Sequence, residues 1–320
     1  MEWDPRRRSK RRRSRRIRLL VAVLGLAIAL FGLVKLIGYV ADLLAARRAA
    51  RELRQVYYAA PTPEPLPATE TAAATPAPTM TPTPAVTAKA SATPTQSPIP
   101  RLPSRNYPGN PNLTITSRFK ALQKESKYII GWLSIRRMLD EAVVQRDNVF
   151  YLDHDVLGNS NANGALFLDS AIGLKTRPYS YIIYGHNMKS GAMFGNLRSY
   201  ENSTFYHNDP FISFDTLYES GRYVVFAVGT VSTEETGDHY VDFFSLRSSN
   251  IAERQAAIDV LKEASVHTCA VDVQADDQLL ILVTCVGKDE DRRVVAARRL
   301  RDGESETELK KQVEKSQKKQ

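Results

Sequence analysis

Residues 279–288 read LLILVTCVGK, a run of Leu, Ile and Val that reaches a thiol at Cys285 and then breaks into the polar stretch KDEDRR. A short apolar run closed by a turn signal reads as a buried strand. A free cysteine in such a run is ordinarily a packed small hydrophobe. Here the run stops at Cys285 and the chain must turn back into solvent, which puts the thiol at the rim of the strand rather than in the core. The next apolar run, 292-RRVVAARRL-300, follows after a short loop and pairs antiparallel with the first. That pairing returns Arg292 or Arg293 to the neighbourhood of the thiol. Successive strand residues face opposite sides, so only one of the two can look toward it.

Strand-like runs of the same kind recur upstream: YIIGWLSI (128–135), AVVQ (142–145), NVFYL (148–152), ALFLD (165–169), YSYIIYGHN (179–187), FISFDT (211–216) and RYVVFAVGTV (222–231). Short strands at this spacing predict a β-barrel or sandwich. Three stretches carry helical periodicity: TSRFKALQKES (116–126), GAMFGNLRSY (191–200) and SNIAERQAAIDVLKEAS (249–265). The folded unit is expected over 112–300, and the charged tail 301–320 is expected to be solvated.

The chain has 320 residues and a net charge of +9, but the charge is unevenly placed. Residues 1–18 hold ten Lys or Arg against Glu2 and Asp4, so the rest is nearly neutral. An apolar stretch follows over 19–41, interrupted only by Lys35. At about 1.5 Å per residue it can cross a hydrocarbon core of about 30 Å. The basic block is then a cytoplasmic flank, and everything beyond about Arg47 lies outside the cell membrane. A cleaved signal peptide fits less well, because the apolar stretch is too long and charge resumes at Arg47. Nucleic-acid binding is disfavoured too, since the block has no interleaved aromatics and abuts the span. Residues 42–111 form a juxtamembrane segment and a linker rich in Pro, Thr and Ala. Such a composition favours an extended stalk.

Of the five histidines, His186 ends the apolar run YIIYGHN at the same kind of rim position as Cys285. A thiol and an imidazole released together at strand ends suit nucleophilic catalysis, and a guanidinium beside them suits an oxyanion. Cys269, in SVHTCAVDV, reads as a packed thiol. Two distant cysteines without a close histidine pair do not form a metal-binding spacing, and no cofactor is expected.

The segments YGHNMKSGAMFGNLRSY, LVTC and RRVVAAR, with AVVQRDNVFYLDHD and NGALFLD upstream, resemble a class B sortase, a family of membrane-anchored transpeptidases of Gram-positive bacteria. The resemblance implies an eight-stranded β-barrel with His186, Cys285 and Arg292 as catalytic residues. Arg292 is preferred because the family's arginine precedes one variable residue and then a Val-rich strand. Peptide contacts are expected from Asn187, Met188, Val283 and Thr284. The sequence departs from the family pattern at Ile281, where Thr is usual, and at Val283, where Ser or Thr is common. The resemblance further implies cleavage of a C-terminal sorting signal of secreted proteins after Thr, through a thioacyl enzyme. The acyl group would then pass to an amine of a peptidoglycan precursor such as lipid II. An extracellular cell-wall cysteine peptidase and a non-catalytic wall-binding module are the alternatives.

Overall fold

Eight strands close into one barrel in the order β1-β2-β3-β4-β7-β8-β6-β5. They are β1 (Ile129–Ile135), β2 (Leu139–Val144), β3 (Leu166–Leu168), β4 (Ser180–Tyr184), β5 (Phe211–Thr216), β6 (Arg222–Ser232), β7 (Leu279–Val286) and β8 (Lys288–Arg299). The structure is a computed structural model and describes residues 5–61, 100–286 and 288–319. The helices are α1 (Pro5–Ala59), α2 (Ser117–Glu125), α3 (Ser203–Asn208), α4 (Phe243–Arg247), α5 (Ile251–Ala264) and α6 (Glu306–Val313).

The strand LLILV is apolar throughout because it is covered on both sides. Leu279–Val283 are all buried, and β7 pairs parallel with β4 and antiparallel with β8. Strands in that position lose the polar alternation of a one-sided sheet. α5 packs against β6, and the Asn250 side chain starts it by accepting from the amides of Ala252 and Glu253. Its Arg254 is fully buried and donates to Ser180 Oγ and to the carbonyls of Ala275, Asp277 and Leu246. One guanidinium thus closes α5 and the α4 end onto the starts of β4 and β7.

α1 is a single helix in which the apolar stretch 19–41 is exposed, as a span facing lipid must be. It does not end there. Ala49, Leu53 and Tyr57 are buried against the barrel, the Tyr57 ring stacks 4.4 Å from Trp132, and Arg54 pairs with Asp140 at 2.8 Å. The Pro/Thr-rich residues 62–99, read above as a stalk, lie outside the described residues. The chain touches the barrel on either side of them: Pro61 O accepts from Ser117 Oγ, and the Leu102 amide donates to Ser249 O. Tyr107 is buried, so the packed unit includes residues ahead of 112.

Three local expectations are corrected. NVFYL is not a strand: Phe150–Leu152 form a single 3₁₀ turn, started by Asp147 Oδ1 accepting from the amides of Val149 and Phe150. GAMFGNLRSY is a string of turns that becomes a 3₁₀ helix only at Leu197–Glu201. The tail is not solvated, because α6 buries Leu309 and Val313, and its Glu306 pairs with Arg222. A helix with few apolar residues still docks when those few share one face.

Candidate active site

The pairing of three neighbouring strands sets the site. Cys285 on β7 stands directly opposite Arg292 on β8. On the other side of β7, the parallel pairing runs to Tyr184↔Val283 and the Gly185 amide donates to Val283 O. His186 follows two residues after the end of β4. The Asn187 side chain then donates to Cys285 O at 3.0 Å, which fixes the end of β4 to the end of β7. Residues level with one another on adjacent strands share a face. Cys285 and Arg292 therefore share a face, and the Asn187 bond brings the segment that carries His186 to the same end of β7.

Each of the three is held differently. Cys285 is exposed, whereas the residue before it, Thr284, is buried. His186 is half-buried, and its Nε2 lies 2.6 Å from Leu152 O. Donation from Nε2 to that carbonyl assigns the tautomer in which Nδ1 is the basic nitrogen. The ring can settle there because Gly164 has φ +62° and no side chain: a Cβ would lie 3.0 Å from His186 Cδ2 and 2.9 Å from Leu152 O. Arg292 is half-buried and donates to Asp291 O at 3.0 Å. Its positive charge reaches Tyr184, which shares the face of His186. Burial, and then the neighbouring Asp169 that accepts from its hydroxyl at 3.2 Å, push the Tyr184 phenol well above its ordinary range. Asp169 is also approached by Arg247 of α4 at 3.5 Å.

Arg293 stands level with Thr284 and so faces the other side, where it donates to Glu201 at 2.7 Å. Among the peptide-contact candidates, Val283 shares the face of Cys285 but is buried beneath it, and Thr284 is buried on the opposite face. Met188 is half-buried in the loop after His186, and Asn187 braces the cysteine carbonyl. Cys269 stays apart. It is half-buried, its Sγ donates to Val271 O at 3.1 Å, and burial pushes its thiol pKa up.

Sequence reading missed the carbonyl of Leu152 and the bare Cα of Gly164 as supports of the histidine. The Asn163–Gly164 pair signalled a turn, but not what lay against it. It also missed the Tyr184–Asp169–Arg247 chain, because those residues meet only through the β3–β4 pairing and the placement of α4.

A thiol and a guanidinium paired across two strands of a closed barrel, with an imidazole just beyond the end of the next strand, suit cysteine acyl-transfer chemistry. A family model described as Sortase domain matches residues 134–300. The chain belongs to the sortase family and is a sortase-type cysteine transpeptidase. It is 30% identical to sortase B of Listeria monocytogenes over 178 residues, 55% of this chain and 70% of that protein. Sortase B of Staphylococcus aureus is likewise 30% identical, over 53% of this chain and 68% of its own length. Among solved structures, sortase B from Bacillus anthracis in complex with AAEK1 matches at TM-score 0.58 and 25% identity, covering 81% of this chain and 98% of its own. The S. aureus sortase B complexed with triglycine matches at TM-score 0.52 and 28% identity, over 60% of this chain and 89% of its own.

Proposed function

We propose that the enzyme cleaves a C-terminal sorting signal of secreted proteins after a Thr and transfers the new carboxyl end to an amine of a peptidoglycan precursor such as lipid II. The grouping of His186, Cys285 and Arg292 carries this reading. The Cys285 thiolate attacks the carbonyl carbon, and the tetrahedral oxyanion forms beside the Arg292 guanidinium, a charged and pre-formed donor. Collapse of the intermediate expels the amine, which takes its proton from His186, and leaves a thioester on Cys285. The acceptor amine attacks that thioester, gives its proton to His186, and the thiolate departs.

The triglycine complex of the S. aureus relative supports an amine acceptor for this chain. The ten basic residues ahead of the apolar stretch support a single-pass anchor with the N-terminus cytoplasmic and the barrel outside the cell. The test is product analysis by mass spectrometry with a Thr-containing peptide library, in the presence and absence of triglycine. Ligated products that require Cys285 are expected. Hydrolysis products alone, unchanged by triglycine, would identify a peptidase instead.

A further inference from the structure

We propose that the loop 149–157 rests on the outer surface of the bilayer, so that His186 works at the membrane plane. This rests on the membrane topology proposed above. The order of contacts along α1 is the first argument. The apolar stretch ends at Ala41, and at the next residue Asp42 O accepts from the Asn161 side chain at 3.0 Å. Ala46, Ala49 and Ala50 then line one cavity with Asp155, Val156 and Gly164. Glu141 and Ala142 of β2 line the same cavity, and further along α1 pairs Arg54 with Asp140 and stacks Tyr57 on Trp132. Asp42 and Tyr57 are about 22 Å apart along a helix rising 1.5 Å per residue, so the loop lies at the bilayer end of the barrel.

The second argument is surface chemistry. Among the described residues, four large hydrophobic side chains outside α1 are exposed: Val149 (71%), Leu152 (42%), Leu157 (40%) and Phe244 (63%). Three of the four belong to this one loop. Scattered single apolar residues need no explanation, but three on one short loop, two residues of which, Asp155 and Val156, line a cavity with α1, single this loop out. The loop is not basic: Arg146 is flanked by Asp147, and Asp153 and Asp155 follow. The contact is therefore apolar and does not need anionic lipid.

The third argument ties the patch to chemistry. The carbonyl that holds His186 Nε2 belongs to Leu152 itself. A loop seated on lipid thus fixes the imidazole at the plane in which a lipid-borne amine diffuses.

The test uses the full chain with Cys285→Ala and Cys269→Ser, reconstituted in neutral phosphatidylcholine vesicles. A bimane label is placed through Leu157→Cys or Val149→Cys, with Phe244→Cys and Lys124→Cys as comparisons. Nitroxide-labelled lipid is expected to quench the first two severalfold more than the last two, equally with and without anionic lipid. Equal quenching at all four positions, with the protein still sedimenting with vesicles, overturns the loop contact while leaving the anchor standing. Loss of sedimentation overturns the anchor and the loop contact together. Because these variants lack the reactive thiol, neither result depends on the transpeptidase reading. In the active protein, Val149→Asn with Leu157→Asn should slow transfer to a lipid-borne amine and leave transfer to triglycine unchanged. Equal slowing of both overturns the proposal.

Discussion

Cys285 and Arg292 face each other directly across the β7–β8 pair, while their neighbours Thr284 and Arg293 face each other on the opposite side. The alternation separates two arginines that the sequence alone leaves equivalent. Arg292→Lys keeps a charge but loses the planar fork, and should cost about 10²-fold in thioester formation, as loss of one oxyanion donor does. Arg293→Lys weakens a bond to Glu201 and should change turnover less than about threefold. Acyl-enzyme formation measured by mass spectrometry decides between them; a severe Arg293→Lys defect beside a healthy Arg292→Lys would reverse the assignment.

The two thiols should separate chemically. Cys285 is exposed, whereas burial raises the Cys269 pKa and its thiol donates a hydrogen bond to Val271 O. Iodoacetamide at pH 7 is expected to label Cys285 first and abolish both cleavage and transfer, and Cys269→Ala should stay active. Inactivation that tracks modification of Cys269 would contradict the proposed nucleophile.

Arg254 is a structural staple. Burial lowers its pKa to about 10, and its donors satisfy three carbonyls from two segments as well as Ser180. Arg254→Met leaves those acceptors without donors and should lower stability by about 3 kcal/mol or more, since each unsatisfied buried group costs about 1–3 kcal/mol. A guanidinium chloride midpoint unchanged from the parent chain would show that water replaces the side chain.

The junction of α1 with the barrel should respond to pH through Glu141. Burial, against the pull of the Arg54 charge and with a smaller push from Asp140, moves its carboxyl up from 4.5 to about 7. Docking therefore favours the protonated acid. Its full strength is present below about pH 4.5, declines as pH rises toward 7, and levels off above that. Protection factors for amide exchange over residues 49–57, taken relative to the intrinsic exchange rate at each pH, should be higher at pH 5 than at pH 8. Glu141→Gln should remove the difference, and a difference that survives the substitution would assign the effect to another group.

The barrel was legible because its strands are short apolar runs punctuated by turns, and LLILVTC with RRVVAARR even declared their pairing. The proposed site rests on the same signal, since rim positions show as breaks in an apolar run. What escaped was set by tertiary contact. Asp147 captures two amides and winds NVFYL into a turn, overriding its strand propensity. α1 continues past its apolar span because Leu53 and Tyr57 find partners on β1 and β2 that no local pattern announces. Leu309 and Val313, two apolar residues in a charged tail, sufficed to dock α6.

Gly164 should be the least replaceable residue that touches no substrate. Its φ of +62° is one that a side chain disfavours by about 1–2 kcal/mol. A Cβ would also press on Tyr151 O at 2.5 Å and Leu152 O at 2.9 Å, as well as on the imidazole itself. The carbonyl of Leu152 is the anchor of Nε2, so relief of that pressure moves the His186 ring. Gly164→Ala is expected to retain the circular dichroism spectrum of the parent and to lose about tenfold or more in turnover, in line with the cost of sub-ångström misplacement. The defect should appear in both acylation and transfer, because His186 moves a proton in each. Full turnover in Gly164→Ala would mean that the loop yields freely and that the Leu152 carbonyl does not position the histidine.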